Sequence, residues 1–145
     1  MGNRSQEEIP RTLRLHGDYW SVTDTEEVCL SGFQCTACGA GYLPAITTCS
    51  KCRCTRFRPL ELSSEGCLYT YTVVRGSGGV WPDVYTIGYV DYPEEGVRVC
   101  GHIGETDAGR LRIGMKMKVE RAVLYRDRDG NDVECFRFQP SESGR

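Results

Sequence analysis

The sequence predicts a mainly β protein: a small metal-organised ribbon followed by a five-stranded barrel of the OB type. Three observations predict it. Four cysteines stand as Cys35-x2-Cys38-x10-Cys49-x2-Cys52. Beyond Gly66, runs of aromatic and β-branched residues alternate with Gly, Pro and Asp turns. Between the third and fourth of these runs lies a stretch suited to a short helix, Thr106 to Leu111; outside the barrel, Glu7 to Leu15 suits a short helix or an extended arm. Five strands with a helical insert at that place suit a Greek-key barrel, which also removes most free sheet edges.

The cysteine spacing carries the most information. Each Cys-x2-Cys turn aims two sulfurs at one point, and two facing turns make a tetrahedral cage. Gly39 follows the second sulfur, where a tight turn wants a residue without Cβ strain. Four thiolates suit Zn²⁺ or a single iron equally in geometry. No second cluster or flavin motif suggests electron transfer, so one structural Zn²⁺ on Cys35, Cys38, Cys49 and Cys52 is expected. A filled tetrahedron leaves no open position for catalysis. Cys54 is close enough to compete, but Cys52 completes the paired spacing. Two disulfides are the alternative in a secreted chain.

The expected organisation is an N-terminal arm over 1–27, a zinc ribbon over 28–60, a barrel over 61–140 and a tail over 141–145. The arm is polar apart from a few points, and its Tyr19-Trp20 pair needs cover from the ribbon or a partner. Val28 to Gln34 reads as the strand entering the first knuckle. Tyr42, Leu43, Pro44 and Ile46 can cover one side of the cage. Phe57 to Ser63 reads as an edge strand, because Pro59 cannot donate to a ladder.

The barrel strands follow. Leu68 to Val74 is the first, and the glycine loop Gly76 to Gly79 leads through Trp81 to the second, Val84 to Tyr92. The turn Pro93 to Gly96 returns Val97 to Ile103, with Val97, Val99, Gly101 and Ile103 on one face. Met115 to Tyr125 alternates with period two throughout, placing Met115, Met117, Val119, Arg121, Val123 and Tyr125 together. Asp129-Gly130-Asn131 is a hairpin turn before Val133 to Phe138.

Composition narrows the function. The chain has 145 residues, 26% of them charged, and a formal net charge of −2, which disfavours non-specific duplex binding. Nine cysteines cannot all pair within one chain. No apolar run suits a membrane span or signal core, so a reducing, cytoplasmic setting is expected.

Taken together, several pieces resemble the acyl-CoA-associated OB-fold family that carries an N-terminal rubredoxin-like zinc ribbon. These are Cys35-x2-Cys38-Gly39 with Pro44 and Cys49-x2-Cys52, Gly66 to Val74, Gly96-Val97-Arg98, Ile113 to Val119, and Phe136 to Pro140. The resemblance covers about residues 28 to 140 and lies in the order of the pieces. It implies a non-catalytic accessory subunit of a larger acyl-CoA enzyme in a hetero-oligomer. The partner it implies is most nearly a thiolase, as for benzoylsuccinyl-CoA thiolysis in anaerobic aromatic degradation, and alternatively a hot-dog-fold enoyl-CoA hydratase. CoA or acyl-CoA would sit at the shared site.

The residues themselves offer little catalytic chemistry. Cys100 and His102 share a strand face, but the plain reading is a packed Cys100 and an exposed or hydrogen-bonded His102. Binding is the better expectation. Lys51, Arg53, Arg56 and Arg58 follow the second knuckle and could meet CoA phosphates. Tyr19, Trp20 and Trp81 are candidates for a partner interface or an acyl channel. Two rival readings remain. One is a single-stranded nucleic-acid module stacking bases on Tyr69, Tyr71, Tyr85 and Tyr89. The other is a rubredoxin-like electron carrier.

Overall fold

The computed structural model describes residues 11–43, 46–76, 78–104 and 108–141. Its strands in chain order are β1 (Thr12–Arg14), β2 (Trp20–Val22), β3 (Val28–Cys35), β4 (Gly41–Tyr42), β5 (Phe57–Glu61), β6 (Glu65–Arg75), β7 (Val84–Tyr92), β8 (Val97–Ile103), β9 (Lys116–Arg126) and β10 (Asp132–Pro140). A single 3-10 turn, Ala108–Arg110, stands between β8 and β9. It occupies the described part of the expected helical stretch; Thr106 lies outside the described residues.

Five strands close on themselves. β6 pairs β7, β7 pairs β8, β8 runs parallel to β10, β10 pairs β9, and β9 returns to β6. That circuit is the OB order, and its strands are the five read from the sequence. Hairpin turns hold the adjacent strands in register. The Gly96 N–H donates to Tyr92 O at 2.9 Å, and the Asp127 N–H to Asn131 O at 2.9 Å.

Among the described residues, the ladder between β8 and β10 is confined to Arg137↔His102 and Phe138↔Ile103. The other end of that edge is taken by β1, which runs parallel to β10 with Thr12↔Asp132 through Arg14↔Glu134. The expected N-terminal arm is thus partly built into this chain's own sheets, since β2 also pairs with β3. Residues 1–10 lie outside the described residues.

The ribbon is a small antiparallel sheet around β3, which pairs β2, β4 and β5. Pro59 sits on β5 opposite Phe33, and β5 pairs only with β3, so the proline costs no ladder bond on its far side. Ribbon and barrel share one core. Trp20, Leu30 and Leu62 belong to the same cluster as Leu68, Val90, Val99, Met117, Phe136 and Phe138. Burial of such side chains stabilises by roughly 1.5–3 kcal/mol each relative to exposure.

One strand departs from its sequence pattern. The even alternation of β9 predicts Met117 and Val123 on one face, yet Met117 is fully buried and Val123 is 53% exposed. The β9–β10 register is unbroken from Pro140↔Met117 to Glu134↔Val123, so the difference arises because β6 covers β9 only as far as Lys118; the pairing slips just beyond, where Tyr125 opposes Val133. Leu124 is the extra residue, and it packs against the core instead.

Two glycines oppose each other across β7 and β8, Gly88 and Gly101. A Cβ at Gly101 would lie 2.8 Å from the Phe138 ring and 3.2 Å from the Phe136 ring. The two rings meet edge to face, with centroids 5.8 Å apart. The missing side chain at Gly101 leaves the space that these rings fill, while a Cβ at Gly88 would meet Thr70 O and Ile103 instead.

Candidate metal centre

β3 delivers Cys35 at its last residue, and the turn after it places Cys38. The Gly39 N–H donates to Cys35 O at 3.0 Å, closing the first knuckle. The second repeats the plan: the Arg53 N–H donates to Cys49 O at 2.9 Å. In both knuckles the residue after the second cysteine is left-handed. Gly39 has φ 78° and Arg53 has φ 64°. Glycine takes that conformation freely, whereas an L side chain is strained there.

The four sulfurs converge. All lie within 4.8 Å of one another; Cys35 and Cys52 are 3.5 Å apart, and Cys38 and Cys49 are 3.6 Å apart. A tetrahedral metal with arms of ~2.3 Å has sulfur–sulfur edges of about 3.8 Å, whereas a disulfide needs ~2.0 Å. The cage fits a metal ion and not a pair of disulfides, and all nine cysteines are free thiols. Cys35 and Cys49 are buried, while Cys38 and Cys52 face solvent.

The electrostatics fit a cation as well. Hydrogen bonding from the Tyr42 hydroxyl, with backbone N–H groups of Cys52 and Lys51, pulls Cys49 down to about 6. The backbone N–H groups of Cys38 and Ala37 pull Cys35 down. Cys52 is pushed up to about 12. The Cys54 N–H lowers it, but the Cys35 sulfur, burial and the other two sulfurs outweigh that donor. Four sulfurs this close cannot all ionise without a positive charge between them.

Cys54, the competing ligand, stays outside the cage. Its sulfur accepts the Arg56 N–H at 3.3 Å. Tyr42 reaches the cage from β4 and stands edge to face with Phe57, centroids 6.1 Å apart. Of the residues expected to cover the site, Pro44 lies outside the described residues.

The expected anion-binding side chains all project into solvent around this centre. Lys51, Arg53, Arg56 and Arg58 are exposed. Arg58 donates to Gln34 Oε1 at 2.8 Å, and Gln34 donates in turn to Gly39 O at 3.1 Å. Among the described residues, none of the four pairs with a carboxylate.

The aromatic candidates part company. Trp20 is 2% exposed, and its indole N–H donates to Leu15 O at 2.7 Å. The Arg14 guanidinium lies 4.2 Å over its ring. Trp20 therefore packs inside this chain, and the pair offers outward only Tyr19, half-buried and stacked on His16. Trp81 lies against the outside of the barrel, with ring centroids 4.6 Å from Tyr125, 5.1 Å from His102 and 5.7 Å from Tyr85. Exposed Val80, Val84 and Val123 accompany this cluster.

Cys100, read as a packed strand residue, is exposed, because the inward positions of β8 are Val97, Val99 and Ile103. His102 stacks on Trp81 and lies tilted against Tyr85, which themselves touch, and burial together with the Arg137 charge lowers its pKa. Of the tyrosines weighed for base stacking, Tyr69 and Tyr89 are exposed, Tyr71 packs against the core, and Tyr85 belongs to the Trp81 cluster. Arg98 covers the Tyr69 ring at 3.4 Å and is itself held by Asp91.

An OB barrel joined through one core to a tetrathiol ribbon defines the class, and comparison with known proteins places the chain within it. The family profile of the ChsH2 C-terminal OB-fold domain matches residues 60–121. A DUF35 domain-containing scaffold protein of Methanocaldococcus jannaschii is 34% identical over 122 residues, covering 81% of this chain and 86% of that one. The chain belongs to the DUF35 family. The benzoylsuccinyl-CoA thiolase subunit BbsA of Thauera aromatica is 26% identical over 140 residues, 94% of each chain. Among solved structures, the Ltp2-ChsH2(DUF35) aldolase superposes with a TM-score of 0.62 at 20% identity, over 77% of this chain and 84% of that one. A DUF35 protein of unknown function from Sulfolobus solfataricus gives 0.52 at 18% identity, over 77% and 75%. These structural matches speak for the fold.

Proposed function

We propose that this chain is a non-catalytic, zinc-binding accessory subunit of an acyl-CoA-processing enzyme, with a thiolase-type acyltransferase as its catalytic partner in the cytoplasm. The observation that carries this reading is the end-to-end correspondence with a thiolase subunit, 94% of each chain. Benzoylsuccinyl-CoA is the substrate that relative's name suggests. The relationship to a scaffold protein supports the same role.

The site residues support a division of labour. The tetrathiol cage suits zinc as a cross-link that holds the two knuckles together; four protein sulfurs leave it no substrate position. Lys51, Arg53, Arg56 and Arg58 are exposed and able to meet CoA phosphates at the mouth of the partner's site, with Arg58 steadied by Gln34. The Trp81 cluster with Val80, Val84 and Val123 is the surface proposed to dock on that partner, an aromatic anchor with an apolar surround. Carbon–carbon cleavage then falls to nucleophiles of the partner. In this chain Cys100 and His102 share an outer face, but the imidazole is half-buried and packed on Trp81 and Tyr85.

Co-expression with the thiolase partner tests the reading. Thiolysis is expected from the complex and not from this chain alone; activity of the purified single chain rejects it. Lys51→Ala with Arg56→Ala and Arg58→Ala should raise KM for CoA in the complex while kcat holds. An unchanged KM removes the ribbon from CoA binding.

A further inference from the structure

We infer that Tyr42 is the outer hydrogen-bond donor of the metal centre, passing polarisation from Ser50 to the Cys49 sulfur and so slowing loss of the metal. The inference rests on the cage holding a metal ion. Tyr42 Oη lies 3.2 Å from Cys49 Sγ, 2.9 Å from Ser50 Oγ and 3.1 Å from the Ser50 backbone nitrogen.

Metal binding fixes the direction of this chain of bonds. A coordinated thiolate carries no proton, so Cys49 Sγ only accepts, and the Tyr42 O–H must donate to it. The Tyr42 oxygen then accepts twice, from the Ser50 N–H and the Ser50 O–H. Both donations make the phenol a stronger donor to sulfur. Without the metal the Cys49 sulfur can also carry a proton and donate, so the direction is fixed only in the loaded form.

The arrangement is one-sided. In the first knuckle, Cys35 has backbone donors from Cys38 and Ala37, and no hydroxyl reaches it among the described residues. In the second, Cys49 has the equivalent backbone donors and the phenol as well. The second knuckle is also the one whose turn carries the strained Arg53 in place of glycine. The hydroxyl therefore supports the half of the cage with the weaker turn. It is a positioning group, since it touches a ligand and not the ion.

Tyr42→Phe tests this, because it keeps the ring against Phe57 and removes only the oxygen. Full-length wild type, Tyr42→Phe and Ser50→Ala would be loaded with zinc, and separately with cobalt(II). Outer-shell partners of metal ligands typically matter by about 10–100-fold in affinity. Tyr42→Phe is expected to lose zinc to a chelator about 10-fold faster, and Ser50→Ala to fall between it and wild type. The cobalt form of Tyr42→Phe should show its sulfur-to-metal charge-transfer band at lower energy, since a thiolate without its donor is easier to oxidise. Unchanged zinc loss overturns the inference and leaves the metal centre standing. Faster loss with an unshifted cobalt band also overturns it, because packing alone would then be the cause. A wild-type chain that takes up neither metal overturns the centre itself and the relay with it.

Discussion

Replacing Gly101 by alanine asks whether the Phe136–Phe138 pair is as tightly walled as the geometry implies. The added methyl would sit 2.8 and 3.1 Å from two atoms of the Phe138 ring and 3.2 Å from the Phe136 ring. Phe138 is fully buried and Phe136 is 4% exposed, and the two wedge each other edge to face. Neither can turn aside without disturbing the other. Overpacking of this kind costs about 1–3 kcal/mol. For a chain of this length, that is a fall in Tm of roughly 3–10 °C. Gly17→Ala is the control: its methyl would meet only the flexible, exposed Arg14 stem, 3.2 Å away, which need shift by only a few tenths of an ångström. It should stay within about 0.5 kcal/mol of wild type. Trimming the obstacle with Phe138→Leu should make Gly101→Ala cheaper, with a coupling of about 1 kcal/mol in the double-mutant cycle. Calorimetry or circular dichroism melts give all four values. A Gly101→Ala melting point within about 1 °C of wild type, or zero coupling to Phe138, would refute the packing argument.

Other outcomes follow from the ribbon and the Trp81 cluster. Arg53→Gly relieves about 1–2 kcal/mol of left-handed strain and adds about 0.5–1 kcal/mol of chain entropy cost, so metal retention against a chelator should be unchanged or improve by up to about tenfold. Weaker retention would contradict the strain. Removing the metal with a chelator should expose backbone amides of 31–61 to hydrogen exchange first, while β7 and β8 stay protected; simultaneous loss would mean that the barrel depends equally on the ion. His102 has its folded pKa lowered by burial and then by Arg137, below the unfolded value near 6.5. Its contribution is therefore present above about pH 6.5 and is lost as pH falls through the folded value. Tm should drop faster below that point in wild type than in His102→Gln, and parallel curves would remove His102 as the cause.

Much of this architecture could be read from the chain because the relevant signals are local. The cage follows from two short cysteine spacings, and the five barrel strands follow from β-branched and aromatic runs bounded by Gly96 and Gly130. What was hidden depends on contacts distant in sequence. The exposure of Val123 reflects which strands reach its end of β9, since the β6 partners of β9 stop at Lys118. Trp20 looked available to a partner because nothing near it in sequence shows that Leu30 and Leu62 close over the same core. Tyr42 could be placed near the sulfurs, but its bond to Cys49 depends on how β4 is held against β3. The outer-face position of Cys100 was legible in the alternation of Val97, Val99 and Ile103 and was outweighed by the usual preference of cysteine for the interior.

The short parallel pairing of Thr12–Arg14 with β10 has a practical corollary. These three residues occupy a stretch of main-chain hydrogen-bonding groups that β8 does not reach. A shortened chain beginning after Arg14 would leave that stretch bare beside the fully formed β9–β10 ladder. Bare ladder invites a visiting strand, so such a truncation would be expected to self-associate on purification even with its metal intact.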